Sequence, residues 1–302
     1  MGIVELAADP RATVLAARLV RAMPLRVGLG LADVVARRAA AQVNTPTIRA
    51  LRHNQAVVRG LPIDDPSLDQ AIFKVLQTTA RGYVYLFKYI EESVEARRAL
   101  CVIDQQAIDA IMPYHLRGQG VFVVGFHLAG FDQVVISLGT YGFPVLGLSY
   151  ADPTAVYQFQ NQVRINSGVN VQAITPQSLR QALRYLRLGN VVMTACDRPD
   201  PEGEELLFFG RKARLPVGHA RLALHAGVPL AVAVTCRTGE GAYRASLLDF
   251  IQPQRTGDDA RDAIDLAQRV ISSFEAYLRQ HPDEWLMYFP VWGEHPQEHE
   301  FK

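Results

Sequence analysis

His127 and Asp132 are the residues whose types and spacing suggest chemistry. An imidazole can take a proton from an alcohol near neutral pH, and a carboxylate beside it can hold the second ring nitrogen. The two lie in Val121-Phe-Val-Val-Gly-Phe-His127-Leu-Ala-Gly-Phe-Asp132. On a continuous helix, side chains at this spacing would point about 140° apart. They meet only if His127 sits on the turn before a helix and folds back over it. The helix N-terminus beside them would then present N–H groups that favour negative charge developing on a reacting oxygen. The same pattern also fits a hydrogen-bonded structural histidine near a helix-capping aspartate, and spacing alone does not choose between them.

The elements around the pair must supply that turn. The apolar run 121–126, bounded upstream by Arg117-Gly-Gln-Gly120, reads as a buried strand. From Gly130 the pattern becomes helical, with Val134, Val135, Leu138 and Tyr141 along one face. His127 therefore falls at a strand's carboxyl end, where open α/β sheets bind ligands. Further strands are predicted at 144–150, 169–174, 190–196, 205–209, 228–237, 243–251 and 285–291. Helices are predicted at 153–166, 177–188, 217–226 and about 258–280. This alternation predicts an α/β fold with a mostly parallel sheet flanked by helices. Upstream, helical patterns cover 11–23, 31–60, 67–90 and 104–113, so residues 1–115 read as a helical cap on a 116–302 core within a single domain.

Other short segments recur around this frame. Arg164-Ile-Asn-Ser-Gly168 is followed by Asp197-Arg198, then by Glu205-Leu-Leu-Phe-Phe-Gly210. After these come Pro216-Val-Gly-His-Ala-Arg-Leu-Ala223 and Tyr277-Leu-Arg-Gln-His-Pro282. With His127-x4-Asp132, in this order and over roughly residues 12 to 292, they resemble the glycerolipid-type acyltransferase superfamily. Within it the chain is most similar to the bacterial lipid A late acyltransferase and phosphatidylinositol mannoside acyltransferase family.

The resemblance implies transfer of a fatty acyl chain from a CoA or acyl-carrier-protein thioester to a hydroxyl of a membrane lipid or glycolipid. It implies no resident cofactor, no metal and no covalent acyl-enzyme. His127 would be the general base, with Asp132 orienting it. Arg164, with Gly168 closing the family's Arg-x3-Gly element, would contact a substrate phosphate through its forked donors. Asp197 and Arg198 would also bind substrate, and Glu205 would bring a second carboxylate to the active site, with Glu202 and Glu204 as alternatives. One segment departs from the lipid A pattern. After His281-Pro282 the chain reads Trp285-Leu-Met-Tyr-Phe-Pro-Val-Trp292 and lacks the basic run of lipid A enzymes. That points away from lipid A itself as the acceptor and leaves acyl transfer untouched.

Composition narrows the partners. In 302 residues, 49% are hydrophobic, enough for a sizeable core, and the net charge of +1 gives no general attraction to nucleic acid. The three cysteines, Cys101, Cys196 and Cys236, form no metal or disulfide pattern, and Cys196 and Cys236 read as buried packing residues. No apolar run is long enough to span a bilayer, and Arg18 and Arg21 interrupt the only early apolar stretch. On the predicted helix 11–23, Arg11, Arg18 and Arg21 share one side, with Leu15, Leu19, Val20 and Met23 opposite. Such a helix suits an anionic membrane surface or a protein core equally. With the family's lipid substrates, it leads to an expectation of peripheral attachment on the cytoplasmic face. Phe73, Tyr83, Tyr85, Phe87 and Tyr89 on helix 67–90 fit helix packing or an acyl groove.

Three other readings remain open on sequence. Gly147-Leu-Ser149-Tyr-Ala151 nearly matches the nucleophile elbow of serine hydrolases but ends in alanine. A lipid-binding protein without turnover could share the fold. Metal binding through His127, His219 and His225 is disfavoured, since the last two point about 240° apart on one helix.

Overall fold

The computed structural model describes residues 10–89, 92–142, 144–150 and 155–293. Five helices come first: α1 (Pro10–Ala22), α2 (Leu25–Ala40), α3 (Pro46–Arg59), α4 (Ser67–Tyr89) and α5 (Val94–Leu100). The α/β portion follows as β1 (Cys101–Ile103), α6 (Gln105–Leu116), β2 (Val121–Gly125), α7 (Phe131–Leu138), β3 (Val145–Ser149), α8 (Ala155–Asn166) and β4 (Asn170–Ala173). Next are α9 (Pro176–Arg187), β5 (Val191–Ala195), β6 (Glu204–Phe208), β7 (Arg211–Leu215) and α10 (Gly218–Ala226). The hairpin β8 (Leu230–Gly239) and β9 (Ala242–Ile251) and the long helix α11 (Asp259–Gln280) complete the regular structure.

Seven strands form one sheet in the order β1-β9-β8-β2-β5-β3-β4. Every pairing is parallel except the β8–β9 hairpin, which agrees with the mostly parallel α/β sheet that the sequence predicts. The central strand β2 is buried at all its positions, as expected where helices cover both faces. Phe122 and Val124 pack on one side with Val192, Val232 and Phe274 of α11. Val121 and Val123 pack on the other with Met193, Ala231 and Ile111 of α6.

Local chemistry sets several boundaries. Thr45 caps α3 by accepting from the Ile48 N–H, Pro46 opens the helix, and Gly60 closes it in the left-handed region. This punctuation splits the predicted helix 31–60 into α2 and α3. Thr175 and Ser178 form a reciprocal capping box at the start of α9. Strand β7 escapes the sequence reading because three of the four residues of Arg211-Lys-Ala-Arg214 are basic; it pairs with β6 as a separate two-stranded ribbon. Strand β1 joins the sheet from within the stretch 1–115, so the helical part ends before it.

The C-terminal segment corrects a further expectation. Residues 285–291 form no strand; a single bridge joins Leu128 to Trp285. Side chains from α3 take the backbone groups that a strand would need. Asn54 donates to the carbonyls of Met287 (3.1 Å) and Phe289 (2.8 Å) and accepts from the Val291 N–H (3.1 Å). Gln55 donates to the Pro282 carbonyl at 2.9 Å. Both side chains are buried, so the strap they hold is fixed against the core.

At the N-terminus, Leu15 and Leu19 are 57% and 56% exposed, while Val20 of the same helix packs against the buried cluster of Leu29, Ala32, Val84 and Tyr85, so the apolar side of α1 meets both solvent and core. The side chains of Arg11 and Tyr89 lie outside those described, as does residue Ala151. Tyr85 and Phe87 are buried packing residues, while Cys236 is only partly buried.

Candidate active site

Strands β2 and β5 lie side by side in register, with Gly125 opposite Ala195. Two residues beyond each partner stand His127 and Asp197, so the sheet itself brings this imidazole and this carboxylate together. His127 Nδ1 lies 2.7 Å from Asp197 Oδ1, and the His127 backbone N–H donates to Asp197 Oδ2 at 2.9 Å. The Trp285 indole N–H donates to the same Oδ2 at 2.9 Å. Asp197 is fully buried and accepts three N–H donors, and its only salt-bridge partner among the described residues is His127. The imidazole side chain is 32% exposed, and its Nε2 has no hydrogen-bond partner among the described residues.

Asp132 is not the partner of His127. It starts α7 and accepts from Arg164 Nε (2.9 Å), Arg164 Nη2 (2.6 Å) and Gln160 Nε2 (2.9 Å). Helix geometry explains this. With Gly130 as N-cap, Asp132 falls on the side of α7 that meets α8, away from the sheet edge where Asp197 stands. Gln160 also donates to Tyr83 of α4 at 3.1 Å, so this polar cluster ties the helical cap to the core. Burial, and secondly the charge of Asp132, push the Tyr83 hydroxyl well above the usual phenol range.

The same cluster corrects the reading of Arg164 as a phosphate contact. Its side chain is buried, with Nη1 on Asn161 Oδ1 at 2.7 Å and the rest of its fork on Asp132. Gly168 follows the end of α8 with a φ of 92°, a turn position that L side chains rarely adopt. Glu205 is likewise redirected. It lies on the exposed side of β6, half-exposed and 2.6 Å from Lys212 Nζ, while Leu206 and Phe208 of the same strand are buried. Glu204 pairs with Arg221 at 2.7 Å, and Glu202 is exposed. None of the three has a contact with His127 among the described residues. Arg198 follows Asp197 in the chain, and its guanidinium stacks over Tyr150 (3.9 Å) and Phe289 (4.2 Å).

The loop carrying His127 is held through several of its backbone groups. Its carbonyl accepts from the Leu286 N–H at 2.8 Å, and the Ala129 N–H donates to the Glu284 carbonyl at 2.8 Å. The Ala129 carbonyl accepts from Thr235 Oγ1 at 2.5 Å. Gly130 turns the chain into α7 at a φ of 82°, and a Cβ there would meet the Tyr243 ring at 2.3 Å, so only glycine fits. The imidazole is thus presented by a rigid turn, as a general base requires.

Beside this turn, an apolar cavity opens between the sheet and helices α6 and α7. Ile111, Gly125, Phe131, Val134, Met193 and Ala233 are among its walls. Phe131 connects it to the site, because its ring also stacks on the His127 ring at 5.9 Å. Ser149 is buried and accepts from Asn161 at 3.0 Å, with no histidine partner among the described residues. His219 is buried, and burial lowers its pKa to about 4; His225 is exposed, and the described residues contain no metal-binding cluster.

The structure therefore supplies a half-buried histidine with one ring nitrogen open among the described residues and a buried carboxylate behind the other. A family model described as bacterial lipid A biosynthesis acyltransferase matches residues 11–293. No curated protein matches the chain significantly.

Proposed function

From a chain that belongs to the bacterial lipid A biosynthesis acyltransferase family, we propose acyl transfer from a CoA or acyl-carrier-protein thioester to a hydroxyl of a membrane lipid or glycolipid. His127 is the general base, and Asp197 takes the orienting role that the sequence pattern gives to Asp132. The acceptor O–H donates its proton to His127 Nε2 as the oxygen attacks the thioester carbonyl. Asp197 stabilises the imidazolium through Nδ1–H. Collapse of the tetrahedral intermediate breaks the C–S bond, and the leaving sulfur recovers the proton from Nε2. Neither an acyl-enzyme nor a metal enters this sequence.

The observation that carries the reading is the His127–Asp197 contact at 2.7 Å with Nε2 left open.

Membrane contact is part of the same proposal. Among the described residues, no helix is long and apolar enough to cross a bilayer. Leu15 and Leu19 on α1, and Val27, Leu31 and Val34 on α2, instead form exposed apolar stripes at helical spacing. Arg18, Arg21 and Arg26 are exposed beside them, a combination that suits the interface of an anionic bilayer.

The test is transfer of a radiolabelled acyl chain from a thioester into a bacterial lipid extract. His127→Ala should lower turnover by about 10²–10⁴ with folding retained. Turnover close to that of the unaltered protein would refute the assignment, and mass spectrometry of the labelled lipid would name the acceptor.

A further inference from the structure

We infer that Trp285 is a positioning residue for the reaction, acting through its indole N–H on the Asp197 carboxylate. The inference rests on the His127–Asp197 reading above and extends it to the C-terminal strap.

Asp197 lies in a fully buried place with no arginine or lysine salt bridge among the described residues. A buried carboxyl group there needs N–H donors to satisfy its oxygens and to keep its orientation. Two of its three donors come from His127 itself, so only the Trp285 indole fixes the carboxylate independently of the residue it must orient. With Oδ2 held by the indole and by the His127 backbone, Oδ1 is the oxygen left to face Nδ1. Without the indole N–H, the carboxylate can rotate about its own bond, and the ring loses its fixed direction.

The indole is itself held rigidly. Trp285 is buried, and its ring meets Phe208 edge-on at 5.8 Å and Trp292 at 6.0 Å. Its chain neighbours grip the other half of the pair: the Glu284 carbonyl accepts from Ala129, and the Leu286 N–H donates to the His127 carbonyl. One short segment therefore sets both the loop that bears the base and the carboxylate behind it. A buried tryptophan needs only some acceptor for its N–H, and a backbone carbonyl suffices. Trp292, in the same aromatic cluster, uses the Phe208 carbonyl at 3.0 Å. That difference gives the control.

The experiment compares Trp285→Phe with Trp292→Phe in the full chain, measuring kcat, KM and thermal stability. Each change removes one indole N–H from the same cluster. Because Trp285 is buried behind Asp197, its loss should leave KM unchanged and lower kcat by about ten- to a hundred-fold, the scale of one hydrogen bond to a charged group. Trp292→Phe should leave kcat within about twofold. Should Trp285→Phe not fold, the benzothiophene analogue of tryptophan incorporated at position 285 keeps the ring and removes the N–H, with the same expected fall. The inference is overturned if removing the Trp285 N–H leaves kcat within twofold, if KM rises in place of the fall in kcat, or if both tryptophan changes lower kcat equally. His127→Ala, run alongside, separates the two levels. Retained turnover there would remove the base assignment, whereas its loss with an unaffected Trp285→Phe removes only the role of the indole.

Discussion

Replacing Asp197 with asparagine tests the pair without disturbing its packing. Asparagine has nearly the same shape, so the outcome depends on which of its two ends faces which donor. Two N–H groups, from His127 and Trp285, converge on Oδ2. The amide oxygen can accept both, so it belongs at the Oδ2 position. The NH2 group then replaces Oδ1 and points at His127 Nδ1, 2.7 Å away in the unaltered protein. Facing a donor, Nδ1 becomes the acceptor, and the ring proton moves to Nε2. The nitrogen that must take the acceptor's proton is then already protonated. An analogous carboxylate-to-amide change behind a catalytic histidine costs about 10⁴ in kcat, which is roughly 5.5 kcal/mol at 1.36 kcal/mol per factor of ten. Folding should survive, because the shape is nearly unchanged and both bonds at the Oδ2 position are kept. The assay is steady-state transfer of a labelled acyl chain from thioester to lipid, with thermal melting by circular dichroism as the control. A turnover for Asp197→Asn within tenfold of the unaltered protein, in a folded sample, would refute the reasoning. A larger loss from Asp132→Asn at equal foldedness would return the orienting role to Asp132.

Two further perturbations follow from particular contacts. Arg164→Ala leaves Asp132 without its ionic partner in a largely buried place, so stability should fall by about 3 kcal/mol, visible by calorimetry as a drop of roughly 5 °C in Tm. An unchanged Tm with a raised KM would restore Arg164 to phosphate binding. Leu15→Ser combined with Leu19→Ser removes two half-exposed leucines from α1, and at about 1 kcal/mol each it should weaken sedimentation with anionic vesicles by roughly thirtyfold. Added salt should weaken the binding further by screening the arginines beside them, and binding insensitive to both changes would refute membrane docking through α1.

How far the fold is legible depends on where each element finds its hydrogen-bond partners. The runs 121–126 and 190–196 are apolar enough to be strands in the middle of any sheet, and β2 and β5 occupy such places. The helices with amphipathic patterns and clear caps, such as α9 and α11, fall close to their predicted limits. The failures have a common cause. Trp285–Val291 has the composition of a strand, but the Met287 and Phe289 carbonyls and the Val291 N–H are taken by Asn54, more than two hundred residues earlier in the chain. Strand β7 is polar on its exposed side and is made a strand only by pairing with β6. No local pattern contains a partner supplied from so far away.

The site was half legible for the same reason. His127 stands out because it ends an apolar run at the edge where parallel sheets bind ligands. Asp197 ends a second run of the same kind, and the sequence does mark it, as a substrate contact. What it conceals is that the two runs are neighbours. Their strands are separated by α7, β3, α8, β4 and α9 in the chain, and only the strand order β2-β5-β3-β4 makes them adjacent. Once Gly125 is opposite Ala195, the equal offset of His127 and Asp197 fixes the pair without any further choice. Asp132 is nearer in sequence, yet the first turn of α7 carries it towards Arg164 of α8. In a sheet whose neighbouring strands are far apart in sequence, register is a better guide to a reacting pair than spacing along the chain. For this protein it selects Asp197 over Asp132 as the carboxylate behind His127.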